Sequence, residues 1–159
     1  MRLHSEKKGF TLIEVLVAVS VASLIIGVLG SVTFQFTRTT ERGSGQFVAL
    51  HDVQNVGHWI NMDGKRAQST NLIDGGLPVQ SMILIWDEDG ANHTCSYSLS
   101  GSDLKRTCDG NTTTIARHIT QVGFSVSQRL LTANITSQPE GRWDIQEQAV
   151  YKVWMRPSE

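Results

Sequence analysis

Proline is missing from the first 77 residues: the chain holds only Pro78, Pro139 and Pro157. No ring-imposed kink therefore interrupts a helix in the first half. Charge is missing from Phe10 to Phe36, with Glu14 as the single ionisable group. An excess of either sign is missing overall, since 14 Lys and Arg stand against 15 Asp and Glu, and nothing electrostatic points to nucleic acid. Cysteine is limited to Cys95 and Cys108. The chain also lacks a Gly-x-Ser-x-Gly elbow, a Gly-rich phosphate loop and the spaced ligands of an EF-hand. No residue set nominates a reaction, so the chain reads as a non-enzyme with no catalytic residue. No internal repeat or low-complexity tract stands out.

What is present begins with a short basic leader, Met-Arg-Leu-His-Ser-Glu-Lys-Lys-Gly. The 27 residues from Phe10 to Phe36 are apolar on all sides, which is the pattern of a membrane span and not of an amphipathic surface helix. About 20 residues in a helix cross a bilayer core, so the run is long enough. Arg2, Lys7 and Lys8 precede it, and a basic flank on that side keeps the N-terminus in the cytoplasm. Gly27 and Gly30 loosen the helix but are tolerated in membranes. A secretory signal peptide cut after Val28-Leu29-Gly30 is one competing reading, although its apolar region would be long and would hold a carboxylate. An unprocessed signal anchor is another; it explains the length but not the placement of Gly9, Phe10 and Glu14.

Those three residues, in the order Lys8-Gly9-Phe10-Thr11-Leu12-Ile13-Glu14, carry a resemblance to the class III signal of type IV pilins and the pseudopilins of type II secretion. The resemblance implies cleavage between Gly9 and Phe10 by a prepilin peptidase, which also methylates the Phe10 amine. It implies that Glu14 pairs with the Phe10 amine of a neighbouring subunit as both enter a filament core. The plainer reading is a carboxylate that favours the positive end of its own helix. A kinking proline, common in major pilins, is absent, and the cysteines do not bracket a C-terminal loop. Both departures direct the resemblance to a minor pilin or minor pseudopilin, similar to the J or W types.

The segments follow: 1–9 leader, 10–36 transmembrane and filament-core helix, 37–62 amphipathic continuation, 63–80 linker, 81–159 antiparallel β-sheet domain. Gly43 and Gly45 mark an expected weak point in the helix. Ala49, Val53, Val56 and Ile60 recur at helical spacing and predict a face laid on a core, with His51, Asp52, Asn55 and His58 on other faces. His51 and His58, seven apart, read as solvated and not as a metal pair, which favours closer spacing. Asp63-Gly64 is the expected stop. Lys65 and Arg66 lie in the linker, a variable surface in pilins.

Past the linker, Met82–Trp86 is compatible with a strand, closed by Asp87-Glu88-Asp89-Gly90. Those carboxylates could hold calcium, and a charged hairpin turn is the simpler reading. Gly101-Ser102 suits a two-residue type II′ turn. Counting outward from it sets Ser100 opposite Asp103, Leu99 opposite Leu104, Tyr97 opposite Arg106 and Cys95 opposite Cys108. Cys95 and Cys108 then form a non-hydrogen-bonded pair about 4.5 Å apart at Cα, within disulfide range. A disulfide is predicted, which places the domain outside the cytoplasm; two buried thiols are the other reading. Val122, Phe124 and Val126 alternate with polar residues, as do Ala149, Tyr151, Val153 and Met155 with Val150, Lys152, Trp154 and Arg156, so both segments read as strands.

One long helix and then four or five strands joined by short turns predict an α+β fold, the helix packed on one face of an antiparallel sheet. The functional expectation is a structural subunit of a type IV pilus-like filament or a type II secretion pseudopilus. Its partners would be the peptidase-methyltransferase, other pilin or pseudopilin subunits and an inner-membrane assembly platform. The alternative is a membrane-anchored extracytoplasmic binding module, for adhesion or DNA uptake, using the linker or residues 127–148.

Overall fold

A helix of 55 residues, α1 (Leu12–Arg66), opens the fold. Eight strands follow: β1 (Ser69–Thr70), β2 (Ser81–Glu88), β3 (Ala91–Ser100), β4 (Asp103–Cys108), β5 (Asn111–Ala116), β6 (Ile119–Ser127), β7 (Leu130–Ser137) and β8 (Glu147–Trp154). The structure, a computed structural model, describes residues 11–141 and 144–157. The class is α+β, as expected. The strands form two antiparallel sheets in place of the single sheet expected, five-stranded in the order β1–β5 and three-stranded in the order β6–β8.

The chain divides into two units, Met1–Glu41 and Arg42–Glu159. In the first, every described residue up to Thr40 is exposed, from Leu12 at 84% to Phe36 at 73%. The polar side chains here are handled internally. The hydroxyls of Ser20, Ser23 and Thr33 donate to the carbonyls four residues back and Ser31 to that of Val28, at 2.8–2.9 Å. In hydrocarbon a hydroxyl without a partner costs several kcal/mol, about 4–8 on a cyclohexane scale, so self-satisfaction is what a spanning helix requires. The helix is long and apolar enough to cross a membrane, and its apolar stretch is unburied.

In the second unit α1 lays the expected stripe on the sheets: Ala49, Val53, Val56 and Ile60 are each 3% exposed or less. Val53, Val56 and Ile60 join Met82 and Leu84 of β2, Tyr97 of β3, Phe124 of β6 and Ile135 of β7 in one core. Small residues let strands approach the helix. A Cβ at Gly57 would overlap the Tyr151 ring, and one at Gly64 would stand 3.0 Å from Val153 Cγ1.

The hairpin register agrees with the count made from Gly101-Ser102. Ser100 faces Asp103, Leu99 faces Leu104, Tyr97 faces Arg106 and Cys95 faces Cys108. Gly101 has φ of 65°, as the first centre of a type II′ turn needs. Cys95 and Cys108 are joined as a disulfide with Cα atoms 4.1 Å apart.

Three strands were not anticipated. β1 is a two-residue piece inside the 63–80 segment, so that segment is not wholly irregular. β5 carries Asn111, Thr112, Thr113 and Thr114 all exposed, a pattern without alternation. β7 lies within residues 127–148 and buries Leu131, Ala133 and Ile135. The helix also outlasts its expected stop at Asp63-Gly64 and ends at Arg66. It is unbroken at Gly43 and Gly45.

Candidate functional site

Thr11 precedes α1 and caps it. The Glu14 amide donates to Thr11 O at 3.1 Å and lies 3.4 Å from Thr11 Oγ1. Thr-x-x-Glu at a helix start is the capping-box spacing, in which the threonine hydroxyl serves the amide of the third helical residue. Glu14 is also the acid of the first turn, where the helix dipole favours a negative charge. Its side chain is exposed, open to a cation supplied from outside the helix. Gly9 and Phe10, the expected cleavage and methylation positions, lie outside the described residues, as does the 1–9 leader. The capping role was legible in Thr11 and Glu14 but was not drawn from them.

The surface that follows Glu14 is chemically uniform. Leu16, Val17, Val19, Leu24, Ile26 and Leu29 are between 54% and 72% exposed. An apolar surface of this extent is covered either by lipid or by other apolar helices.

Within the second unit two buried acids fasten α1 to the sheets, and the sequence predicts burial for neither. Asp63 is fully buried. Its Oδ2 accepts from Arg106 Nε at 2.7 Å and its Oδ1 from Arg106 Nη2 at 2.8 Å, while the Tyr97 hydroxyl donates to Oδ2. The Arg106 guanidinium also lies over the Trp59 ring, 4.3 Å from its centroid. Hydrogen bonding to Asp63 raises the Arg106 pKa further. Burial first, and then the Asp63 charge, push the Tyr97 hydroxyl well above its ordinary range, so it stays a donor. Asp52, expected on a face away from the core, is 7% exposed. It accepts from the backbone amides of Arg117 and His118 at 3.4 and 3.3 Å, from His118 Nδ1 at 2.8 Å and from Ser137 Oγ at 3.4 Å. Asn55, also expected off the core, donates to Ile115 O at 2.6 Å. A buried acid is recognisable only once its partner is, and Arg106 and His118 are 43 and 66 residues away in sequence.

Other expected positions are dispersed. His51 and His58 are exposed. Asp87, Glu88 and Asp89 sit at the β2–β3 hairpin, where Asp87 Oδ1 accepts from the Gly90 amide at 3.1 Å and Asp89 and Gly90 have φ of 55° and 76°. Among the described residues, Asp63, Cys95 and Cys108 form the group whose ligand atoms lie together. Two of its members are joined in the disulfide and the third is engaged by Arg106.

A family profile described as the prokaryotic N-terminal methylation motif matches residues 5–30. That motif marks type IV pilin-like proteins, and the layout agrees: a long N-terminal apolar helix leading into a small β-sheet domain. No curated protein and no solved structure matches the chain.

Proposed function

We propose that this chain, bearing the methylation motif of type IV pilin-like proteins, is a minor pilin or minor pseudopilin, a structural subunit of a pilus-like filament or secretion pseudopilus. One observation carries the reading. The motif spans residues 5–30 and opens a helix whose apolar residues through Phe36 are all exposed. The unit from Arg42 onward meanwhile has a complete core of its own. The domain does not need the N-terminal helix for its core, so that helix is available for lipid first and for other helices later.

In the proposed sequence the precursor sits in the bacterial inner membrane, its leader cytoplasmic and its disulfide-bearing domain outside. The prepilin peptidase cuts between Gly9 and Phe10 and methylates the new amine. Glu14 then lies about one helical turn from its own N-terminus. The charge of Glu14 meets the Phe10 amine of a neighbouring subunit as apolar helices bundle, drawn in by an inner-membrane assembly platform. A carboxylate in hydrocarbon is costly without a cation, by about 2.5–3.5 kcal/mol at the bilayer centre, so the pairing supplies a driving force for register. The role is structural and involves no catalytic residue of this chain.

The mass and N-terminal sequence of the mature full-length chain test this. A start at methylated Phe10 is expected. A start near Ser31, or an intact Met1, refutes it.

A further inference from the structure

Three connections of the domain meet around one cavity of about 880 Å³. The β3–β4 turn gives it Ser102 and Asp103, the β5–β6 link gives Arg117 and His118, and the β7–β8 link gives Gln138, Glu140 and Asp144. Clefts of about 300–1,000 Å³ hold ligands of drug size, which includes a few residues of peptide. The β7–β8 link belongs to the 127–148 region in which the alternative expectation set a binding role.

The walls are braced from behind. Ile119 N donates to Ser102 O at 2.9 Å and Gln138 N to His118 O at 2.7 Å, so the three connections are tied to one another. Gln138 Nε2 donates to Asp144 Oδ1 at 2.7 Å. Buried Asp52 holds the Arg117 and His118 amides and His118 Nδ1. That contact uses one ring nitrogen of a side chain 36% exposed and leaves Nε2 for another partner. A site fixed in this way loses little ordering entropy when a ligand enters.

The charges on these walls are opposite in sign and unmatched. Asp103, Glu140 and Asp144 stand against Arg117, while His118 is already engaged by Asp52. Among the described residues the ion pairs are His93–Asp109, Arg106–Asp63 and His118–Asp52, and none joins Arg117 to an acid of the cavity. An anion alone would meet three carboxylates. A cation alone would leave the guanidinium facing it. Complementarity asks for one carboxylate, to take the planar fork of Arg117, together with ammonium charge for the acids. The described lining holds no Leu, Ile, Val, Phe, Tyr or Trp, so polar groups and not hydrocarbon select the ligand.

We propose that this cavity binds a lysine-type ligand, a carboxylate and a cationic amine on one short frame, either free or at the C-terminus of a peptide. The carboxylate lies against Arg117 and the amine against Asp103 and Glu140. The site belongs wholly to the domain, so the proposal is independent of the assembly reading.

Isothermal titration of the full-length chain in detergent tests this with three probes: the tripeptide alanyl-alanyl-lysine, its C-terminal amide, and free L-lysine. The tripeptide or L-lysine is expected to bind, and to weaken at least about tenfold with Arg117→Gln and with Glu140→Gln. Both side chains are exposed, so the fold is kept, and an unchanged unfolding midpoint verifies it. The amide lacks the carboxylate. It should bind the native chain as weakly as the tripeptide binds Arg117→Gln, and that substitution should weaken it no further. Tighter binding of the tripeptide than of L-lysine assigns the site to a peptide end; the reverse, or equality, assigns it to the free amino acid. Absence of binding by both at millimolar concentration overturns the proposal. So does binding that survives both substitutions, an amide as tight as the acid, or binding of maltotriose in their place.

Discussion

Asp63, in the last turn of α1, and Arg106, on β4, meet through two hydrogen bonds of 2.7 and 2.8 Å, with the acid 1% and the base 15% exposed at their side chains. This pair ties the end of the helix to the disulfide-bearing hairpin, since Arg106 Nη2 also lies 3.5 Å from Cys95 Sγ. Removing one partner leaves the other buried and uncompensated, whereas replacing both leaves no charge behind. Arg106→Ala is expected to destabilise the full-length chain in detergent by about 3–5 kcal/mol in urea unfolding. Asp63→Asn with Arg106→Met should recover a large part of that loss. A double variant as unstable as Arg106→Ala would show that the cost lies in packing, including the contact with Trp59, and not in the orphaned charge.

The Cys95–Cys108 disulfide closes a loop of sequence separation 13. In the chain-entropy model a loop of this size contributes about 3 kcal/mol. Replacing both cysteines with serine is expected to lower the unfolding midpoint, and dithiothreitol should have the same effect on the native chain and none on the variant. Reductant that lowers the midpoint of both equally would rule out the bridge as its cause.

His93 and Asp109 form an exposed pair with Nδ1 2.8 Å from Oδ2. The hydrogen bond to Asp109 raises the His93 pKa above its ordinary 6.5, and the same bond holds Asp109 below its ordinary 3.8. The histidine's contribution is complete below pH 6.5 and disappears as pH rises through its elevated folded value. The aspartate's contribution is complete above pH 3.8 and disappears as pH falls through its depressed one. The pair therefore acts between those limits, and its exposure keeps the effect small. Asp109→Asn should return the His93 titration, followed by NMR, towards 6.5; an unchanged titration would assign the shift to other groups.

Gly57 lies where α1 crosses β8, against Tyr151, whose hydroxyl donates to Val53 O at 2.9 Å. In an exposed helix, glycine to alanine gains about 1 kcal/mol. Here the added methyl would occupy the ring's position, and overpacking of that kind costs about 1–3 kcal/mol. Gly57→Ala should therefore destabilise, read as a lower unfolding midpoint, while Gly27→Ala, with nothing within 4 Å, should not. A neutral Gly57→Ala would mean that Tyr151 swings aside freely.

What could be read in advance divides along local and non-local lines. The Cys95–Cys108 hairpin was legible because Gly101 announces its turn and the count outward is local. The Asp109-Gly110 turn carries an equally strong signal, with φ of 49° and 85°, and would have found β5 despite its unpatterned threonines. The β6–β7 turn gives no such signal, for Gln128 and Arg129 hold φ of 50° and 69° without glycine; alternation of Leu131, Ala133 and Ile135 was the remaining clue. Asp63-Gly64 read as a stop because its local chemistry is that of a stop. Arg106 and Tyr97 outweigh that chemistry from 43 and 34 residues away, and no window on the helix contains them. At the N-terminus the whole signal is local, and there the sequence and the methylation-motif profile over residues 5–30 agree.

Glu14 has one place in the helix start and a second, proposed role in assembly, and one substitution bears on the two differently. As the third helical residue after Thr11 it stands at the capping-box position, where glutamine serves as well as glutamate. As the acid proposed to meet a neighbour's Phe10 amine it needs a charge, and glutamine has none. Glu14→Ala loses both roles, so it cannot tell them apart. Glu14→Gln keeps a side chain suited to the capping-box position and loses the charge, and with it the proposed ion pair and the small dipole contribution. With the full-length chain in its native host, both variants should still be cut between Gly9 and Phe10, because the leader and the junction are unchanged. If pairing governs assembly, the two should be equally poor at entering filaments, measured as the ratio of sheared-filament to membrane-bound subunit. Entry of Glu14→Gln at the native level, with Glu14→Ala impaired, would assign Glu14 to the helix cap and remove the intersubunit pairing from the mechanism.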